Sequence, residues 1–132
     1  MIKKKEASSR ARALLCINAS LEKKAKDLII LKVKELSAFA DYFIIASGTS
    51  DRQVRAIAAA IHENLKKADI LPLGIEGESA GQWILMDYND VIIHIFLDTI
   101  RTFYDLERLW SEAPRMAVPN ETVSLKALTR GM

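Results

Sequence analysis

Between Gln82 and Leu97 two short apolar runs flank Tyr88-Asn89, and their period of two leaves little choice of local fold. A strand points successive side chains to opposite faces. An antiparallel pairing of Gln82–Asp87 with Asp90–Leu97 that sets Asp87 opposite Asp90 therefore gathers Ile84, Met86, Val91, Ile93, Ile95 and Leu97 on one side. That side is wholly apolar and must be buried. The other carries Trp83, Leu85, Asp87, Asp90, Ile92, His94 and Phe96, a mixed set suited either to a second core layer or to a binding surface with an apolar centre. Asn89 tolerates the left-handed backbone that a tight turn demands.

A buried sheet face needs helices laid against it, and the sequence supplies them. Ala11, Leu14, Ile17, Leu21 and Ala25 recur at three- and four-residue spacing, which predicts a first helix over Ser9 to Lys26. Val54, Ile57, Ala58, Ile61 and Leu65 form the stripe of a second, and Ser50 with Gln53 three residues later is a capping-box signature at its start. Leu28–Val33 and Tyr42–Ser47 are too short and too rich in Ile and aromatics for buried helices and read as interior strands. Leu71–Ile75 reads as a further strand before a turn-rich connection at Glu76–Gly81. Thr99–Ser111 reads as a last helix with Phe103, Leu106 and Trp110 on one buried stripe, stopped by Pro114. From Arg115 to Met132 there is no periodicity, and a loose tail is expected. The pattern is a mixed α/β domain with about five strands. At 132 residues the chain is long enough for one core and too short for two ordinary domains. The expected organisation is a basic extension at 1–9, a folded unit at 10–114 and a tail at 115–132.

Charge narrows the kind of partner such a domain meets. The net charge is only +2, but residues 1–26 hold eight basic residues against two acidic, and residues 76–112 hold eight acidic against two basic. The acidic segment also carries six of the nine aromatics. Aromatics ringed by acids suit a basic protein partner better than a phosphate backbone. No apolar run approaches the roughly 20 residues of a membrane-spanning helix. The basic start lacks the features of a secretory signal, so a soluble cytoplasmic protein is expected.

Residues that could carry chemistry have plainer readings. Cys16 is the single cysteine and sits on the apolar stripe of the first helix, as a buried, inert thiol would. His62 falls on the polar face of the second helix and His94 sits mid-strand, with no second ligand at metal spacing. Gly48-Thr49-Ser50 before a helix resembles a phosphate-cradling turn, but Ser50 is better placed as a cap. Two-metal phosphoryl transfer needs carboxylates that share ions from one strand face, whereas Asp87 and Asp90 are three apart and are expected to solvate the turn. Phe103 and Trp110 are expected in the core, and Trp83 and Tyr88 at a binding surface.

Two blocks carry a family resemblance. Asp41-Tyr-Phe-Ile-Ile-Ala-Ser-Gly-Thr-Ser-Asp-Arg-Gln-Val-Arg-Ala-Ile-Ala58 resembles the central block of the Iojap-like ribosome-silencing factors. Trp83-Ile-Leu-Met-Asp-Tyr-Asn-Asp-Val-Ile-Ile-His-Ile-Phe96, followed by Arg101 and Phe103-Tyr-Asp-Leu-Glu-Arg-Leu-Trp110, is similar to the second hallmark in order and spacing. The similarity spans residues 10 to 114. It departs at Asn89, where the family usually has glycine, a residue that accepts the same backbone conformation.

The resemblance implies a mixed sheet with packed helices, distantly similar to nucleotidyltransferases, and a protein that is not an enzyme and needs no cofactor or metal. It implies binding to the large ribosomal subunit through ribosomal protein uL14. Subunit joining would be blocked sterically and translation repressed when nutrients are scarce. By motif position the implied contacts are Trp83, Leu85, Asp87, Tyr88 and Asp90 on the hairpin, with Arg101, Tyr104 and Glu107 nearby. Nucleic-acid contact is expected to be at most secondary, and the family's self-association makes a homodimer of the free protein an expectation. The rival readings are a nucleotidyltransferase-like enzyme using Ser50 and Asp90, and an RNA-binding module using the basic first helix. The second lacks the exposed aromatic strand platform with adjacent Lys or Arg that single-stranded RNA favours.

Overall fold

The computed structural model describes residues 2–118, with side chains from Ser9 onward. In chain order the elements are α1 (Ile2–Glu22), β1 (Lys26–Lys32), β2 (Tyr42–Gly48), α2 (Asp51–Lys67), β3 (Gly74–Glu76), β4 (Trp83–Asp87), β5 (Val91–Leu97), α3 (Asp98–Tyr104), α4 (Leu106–Leu109) and β6 (Arg115–Met116). The strands form one mixed sheet in the order β3-β4-β5-β2-β1-β6. Its single parallel pairing, β2 with β5, lies at the centre and is crossed over by α2. The α/β class and the two long helices agree with the sequence reading.

On one face α1 and α2 cover Ile30, Ile44, Ile84, Met86, Val91, Ile93 and Ile95, all fully buried. Cys16 and Ile17 of α1 and Ile57 and Ile61 of α2 complete that core. The opposite face gathers Leu31, Phe43, Ile45 and Phe96 under Ile100, Leu106 and Trp110. The mixed side of the hairpin is therefore, in part, a second core layer.

Local chemistry explains most boundaries. Ser50 accepts from the Gln53 amide at 3.1 Å and the Gln53 side chain accepts from the Thr49 amide at 2.7 Å, so the expected capping box forms at α2 with its return bond shifted to the residue before the cap. The same Gln53 donates to the carbonyls of Lys23 and Lys24, which ties α2 to the end of α1. That end falls at Glu22 rather than Lys26. The Ala25 amide bonds to Ser20 O and the Lys24 amide to Leu21 O, with Lys24 at φ 58, which is a Schellman closure with lysine in the usual glycine position. Without a glycine to mark it, the stop was not visible in the sequence.

Three further expectations are corrected. The last helix is not continuous: Asp105 at φ 48 breaks it into α3 and α4, so Phe103 turns outward while Leu106 and Trp110 stay on the sheet. Leu71 is not in a strand, because β3 begins only at Gly74. Arg115 and Met116 are not tail but pair with Leu31 and Ile30 as β6. The rest of the expected tail, from residue 119, lies outside the described residues.

Candidate partner-binding surface

The hairpin register decides which side chains share a surface. Asp87 pairs with Ile92 and Trp83 with Phe96, two positions further along than an Asp87–Asp90 pairing. A slip of two leaves every side chain on its expected face, where a slip of one would have inverted them. It also widens the turn. The Tyr88 amide bonds to Val91 O, the Asp90 amide to Tyr88 O, and Asn89 sits at φ 76 with its amide on the Asp87 carboxylate. Asn89 thus supplies the positive φ expected of it.

On the outer face Trp83 is held on several sides. Its Nε1–H donates to His94 Nδ1 at 3.1 Å, and its ring stacks on Phe96 at 4.9 Å and meets Tyr104 at 4.8 Å. His94 is itself buried, with the edge of Phe43 at 5.5 Å, and burial pushes its pKa down to about 4. Leu85 and Asp87 are half-buried beside them. The fixed position of Trp83 also depends on Gly77, at φ 88, where a Cβ would meet the Trp83 carbonyl oxygen. Tyr104, 50% exposed, carries the 79% exposed Phe103 against its ring at 5.1 Å, and in the same α3–α4 segment Leu109 is 77% exposed and Asp98 and Asp105 stand in solvent. The result is a partly open aromatic face with an acidic border.

The sequence-derived contact set divides in two. Trp83, Leu85, Asp87 and Tyr104 reach this face. Tyr88 does not: its ring is 2% exposed and lies in the core beneath α1 and α2, its hydroxyl without a hydrogen-bond partner among the described residues. Asp90 is not a solvated turn acid either, because it is 8% exposed and accepts from Arg12 of α1 at 2.9 Å. The two-residue slip curls both residues toward α1. Arg12 shares the stripe of Cys16 one helical turn on, which was the available hint of an inward cation.

Arg101 is likewise internal at 7% exposure. It donates to Ser47 Oγ and Asp27 O, each at 2.7 Å, and to Glu107 Oε2 at 3.3 Å, and so pins the α3–α4 corner to the sheet. Glu107 is half-buried as its counter-ion. Phe103, expected in the core, is one of the most exposed side chains, and Trp110 is partly buried with its ring 4.8 Å from Phe43. The strand period places His94 on the face of Trp83, and its hydrogen bond to the indole emerges only from the structure.

The remaining candidates are accounted for locally. The first turn of α2 is capped by Ser50 and carries Asp51, an anion where a phosphate would have to sit. Cys16 is fully buried, and desolvation pushes its thiol pKa up. Among the described residues no group of three His, Cys, Asp or Glu side chains could hold a metal, and no helix is long and apolar enough to cross a membrane.

Comparison with known proteins agrees with this geometry. Residues 6–130 match the family model described as ribosomal silencing factor during starvation. The chain is 39% identical over 105 residues to the ribosomal silencing factor RsfS of Chromobacterium violaceum, covering 79% of this chain and 86% of that one. It is 32% identical over 93 residues to the mouse protein named mitochondrial assembly of ribosomal large subunit protein 1, covering 68% of this chain and 41% of that one. A crystal structure of a C. violaceum protein superposes with a TM-score of 0.77 at 34% identity, covering 89% of this chain and 94% of that one. The resemblance carried by the two sequence blocks is borne out over nearly the whole chain: the protein belongs to the family of ribosomal silencing factors.

Proposed function

We propose that this protein represses translation by binding the large ribosomal subunit through ribosomal protein uL14, using the open face of β4, β5 and α3, and that it blocks joining of the small subunit sterically. The observation that carries the reading is a preset Trp83 in ring contact with the half-exposed Tyr104, which in turn meets the exposed Phe103, on the face that also carries Asp87. An apolar centre with an acidic border fits a basic protein surface. The mouse relative's name points to the same ribosomal subunit. The protein is read as a cytoplasmic binding factor and not an enzyme. In support, Asp90 is engaged by Arg12 and the first turn of α2 is already capped.

Co-sedimentation with separated subunits, together with sucrose-gradient profiles of joining, tests this. The protein should pellet with large subunits and lower the yield of joined ribosomes. Trp83→Ala should weaken binding about thirtyfold, as loss of an anchor worth ~2 kcal/mol does. Asp87→Lys should slow association at a small cost in stability, since among the described residues that carboxylate makes no ion pair and accepts from the Asn89 amide of its own turn. Asp90→Lys is expected to destabilise the protein strongly, because it would replace the buried partner of Arg12 with a second cation. Equal binding to small subunits, or undiminished joining at saturating protein, would remove the silencing reading.

A further inference from the structure

An indole has one polar atom, a donor, and a tryptophan at the centre of an interface ordinarily needs an acceptor from the partner or forfeits that hydrogen bond. Here the donor is already used: Nε1–H meets His94 Nδ1 at 3.1 Å within the same chain. His94 lies on the adjacent strand β5, opposite Leu85. Its ring is fixed by Phe43 at 5.5 Å on β2 and by the stacked Phe96 at 6.2 Å. To accept at Nδ1 the imidazole must be neutral with its proton on Nε2, and burial, which lowers its pKa to about 4, keeps it neutral near pH 7. With Phe96 and Tyr104 against the indole as well, its orientation is set before any partner arrives.

We infer that His94 is a positioning residue that consumes the only donor of Trp83 and presents the indole as a purely apolar anchor, so that the partner surface received here is an apolar protein pocket offering no acceptor to the ring nitrogen. The inference rests on the proposed ribosomal contact for its binding half and on the free protein for the other half. A partner that reads the nitrogen through a backbone carbonyl is excluded by it.

The test has two parts. In the free protein, the indole proton of Trp83, followed by nuclear magnetic resonance, should exchange with solvent at least tenfold more slowly than that of an exposed indole, consistent with an internal hydrogen bond. Fast exchange in the wild-type protein overturns the inference without any variant. The second part is a double-mutant cycle of large-subunit binding with His94→Phe and Trp83→Phe. His94→Phe should weaken binding roughly threefold when Trp83 is present and have no effect in the Trp83→Phe background, because both changes delete the same hydrogen bond. Equal weakening in both backgrounds, or no weakening in either, overturns the role of His94 while leaving the ribosomal contact standing. Tight binding by Trp83→Ala overturns both, and only then does slow indole exchange in the free protein survive as a purely structural fact.

Discussion

The two faces of the sheet are built from the same strands and closed to different extents. One lies under helices of 21 and 17 residues, and its side chains, Ile30, Ile44, Ile84, Ile93 and Ile95, are aliphatic and fully buried. The other is crossed by helices of 7 and 4 residues, too little surface to cover five or six strands. It is aromatic where the first is aliphatic: Phe43, His94 and Phe96 are buried there, while Trp83 and Trp110 are half-covered. Aliphatic side chains interdigitate without polar atoms to satisfy and so favour a closed core. Rings with a polar tip tolerate a boundary with solvent or with a partner. One face is closed by its helices, and the other is left partly open.

That division can be broken most forcefully by emptying the closed face. Ile93→Ala should destabilise the protein by about 2 to 5 kcal/mol, whereas Phe103→Ser on the open side should change stability by less than about 0.5 kcal/mol. Urea denaturation of the two variants measures the contrast, and similar losses from both would mean that Phe103 is covered in solution.

The next effect comes from pH and isolates the inner edge of the open face. His94 titrates near 6.5 when unfolded and is pushed down to about 4 when folded, so folding favours its neutral form. Its contribution is fully present above about pH 6.5 and falls as pH drops toward 4, by about 3 kcal/mol in all. The difference in unfolding free energy between the wild-type protein and His94→Phe, followed from pH 7.5 to 4, should show this loss of one proton's linkage. A flat difference would place His94 in contact with solvent.

The smallest effect sharpens the closed side. Lys24 occupies the left-handed closing position of α1 at φ 58, where glycine is favoured. Lys24→Gly should therefore raise stability by about 0.5 to 1 kcal/mol, partly offset by glycine's greater freedom in the unfolded chain. A thermal melt reads it, and a lower melting temperature would show that the lysine side chain contributes more than its backbone conformation costs.

Much of the fold and part of the surface were legible in the sequence. The strands, the two long helices, the capping box at Ser50 and Gln53 and the sorting of the hairpin into two faces follow from short-range rules: a period of two, a period of 3.6 and the hydrogen-bonding reach of one side chain. Of the expected contact residues, Trp83, Leu85 and Asp87 lie on that outer face, with Tyr104 against Trp83. Phe103 was misplaced because a helical stripe was extended through Asp105, whose backbone turns left-handed without a glycine to announce it.

What the sequence alone determined is the set of elements, the facing of each strand and the family carried by its two blocks. Tertiary structure decided the rest, for a physical reason. A slip of two residues preserves every inward and outward position, so the pattern between Gln82 and Leu97 is equally satisfied by either register. Contacts from far away in sequence distinguish them: Arg12 reaches Asp90 at the turn across 78 positions, and elsewhere Arg101 reaches Ser47 across 54. A buried charge is tolerated only where its partner is waiting. Those long-range pairs carry Tyr88 and Asp90 inward, pin the α3–α4 corner, and leave Trp83, held by His94, at the open side of the sheet.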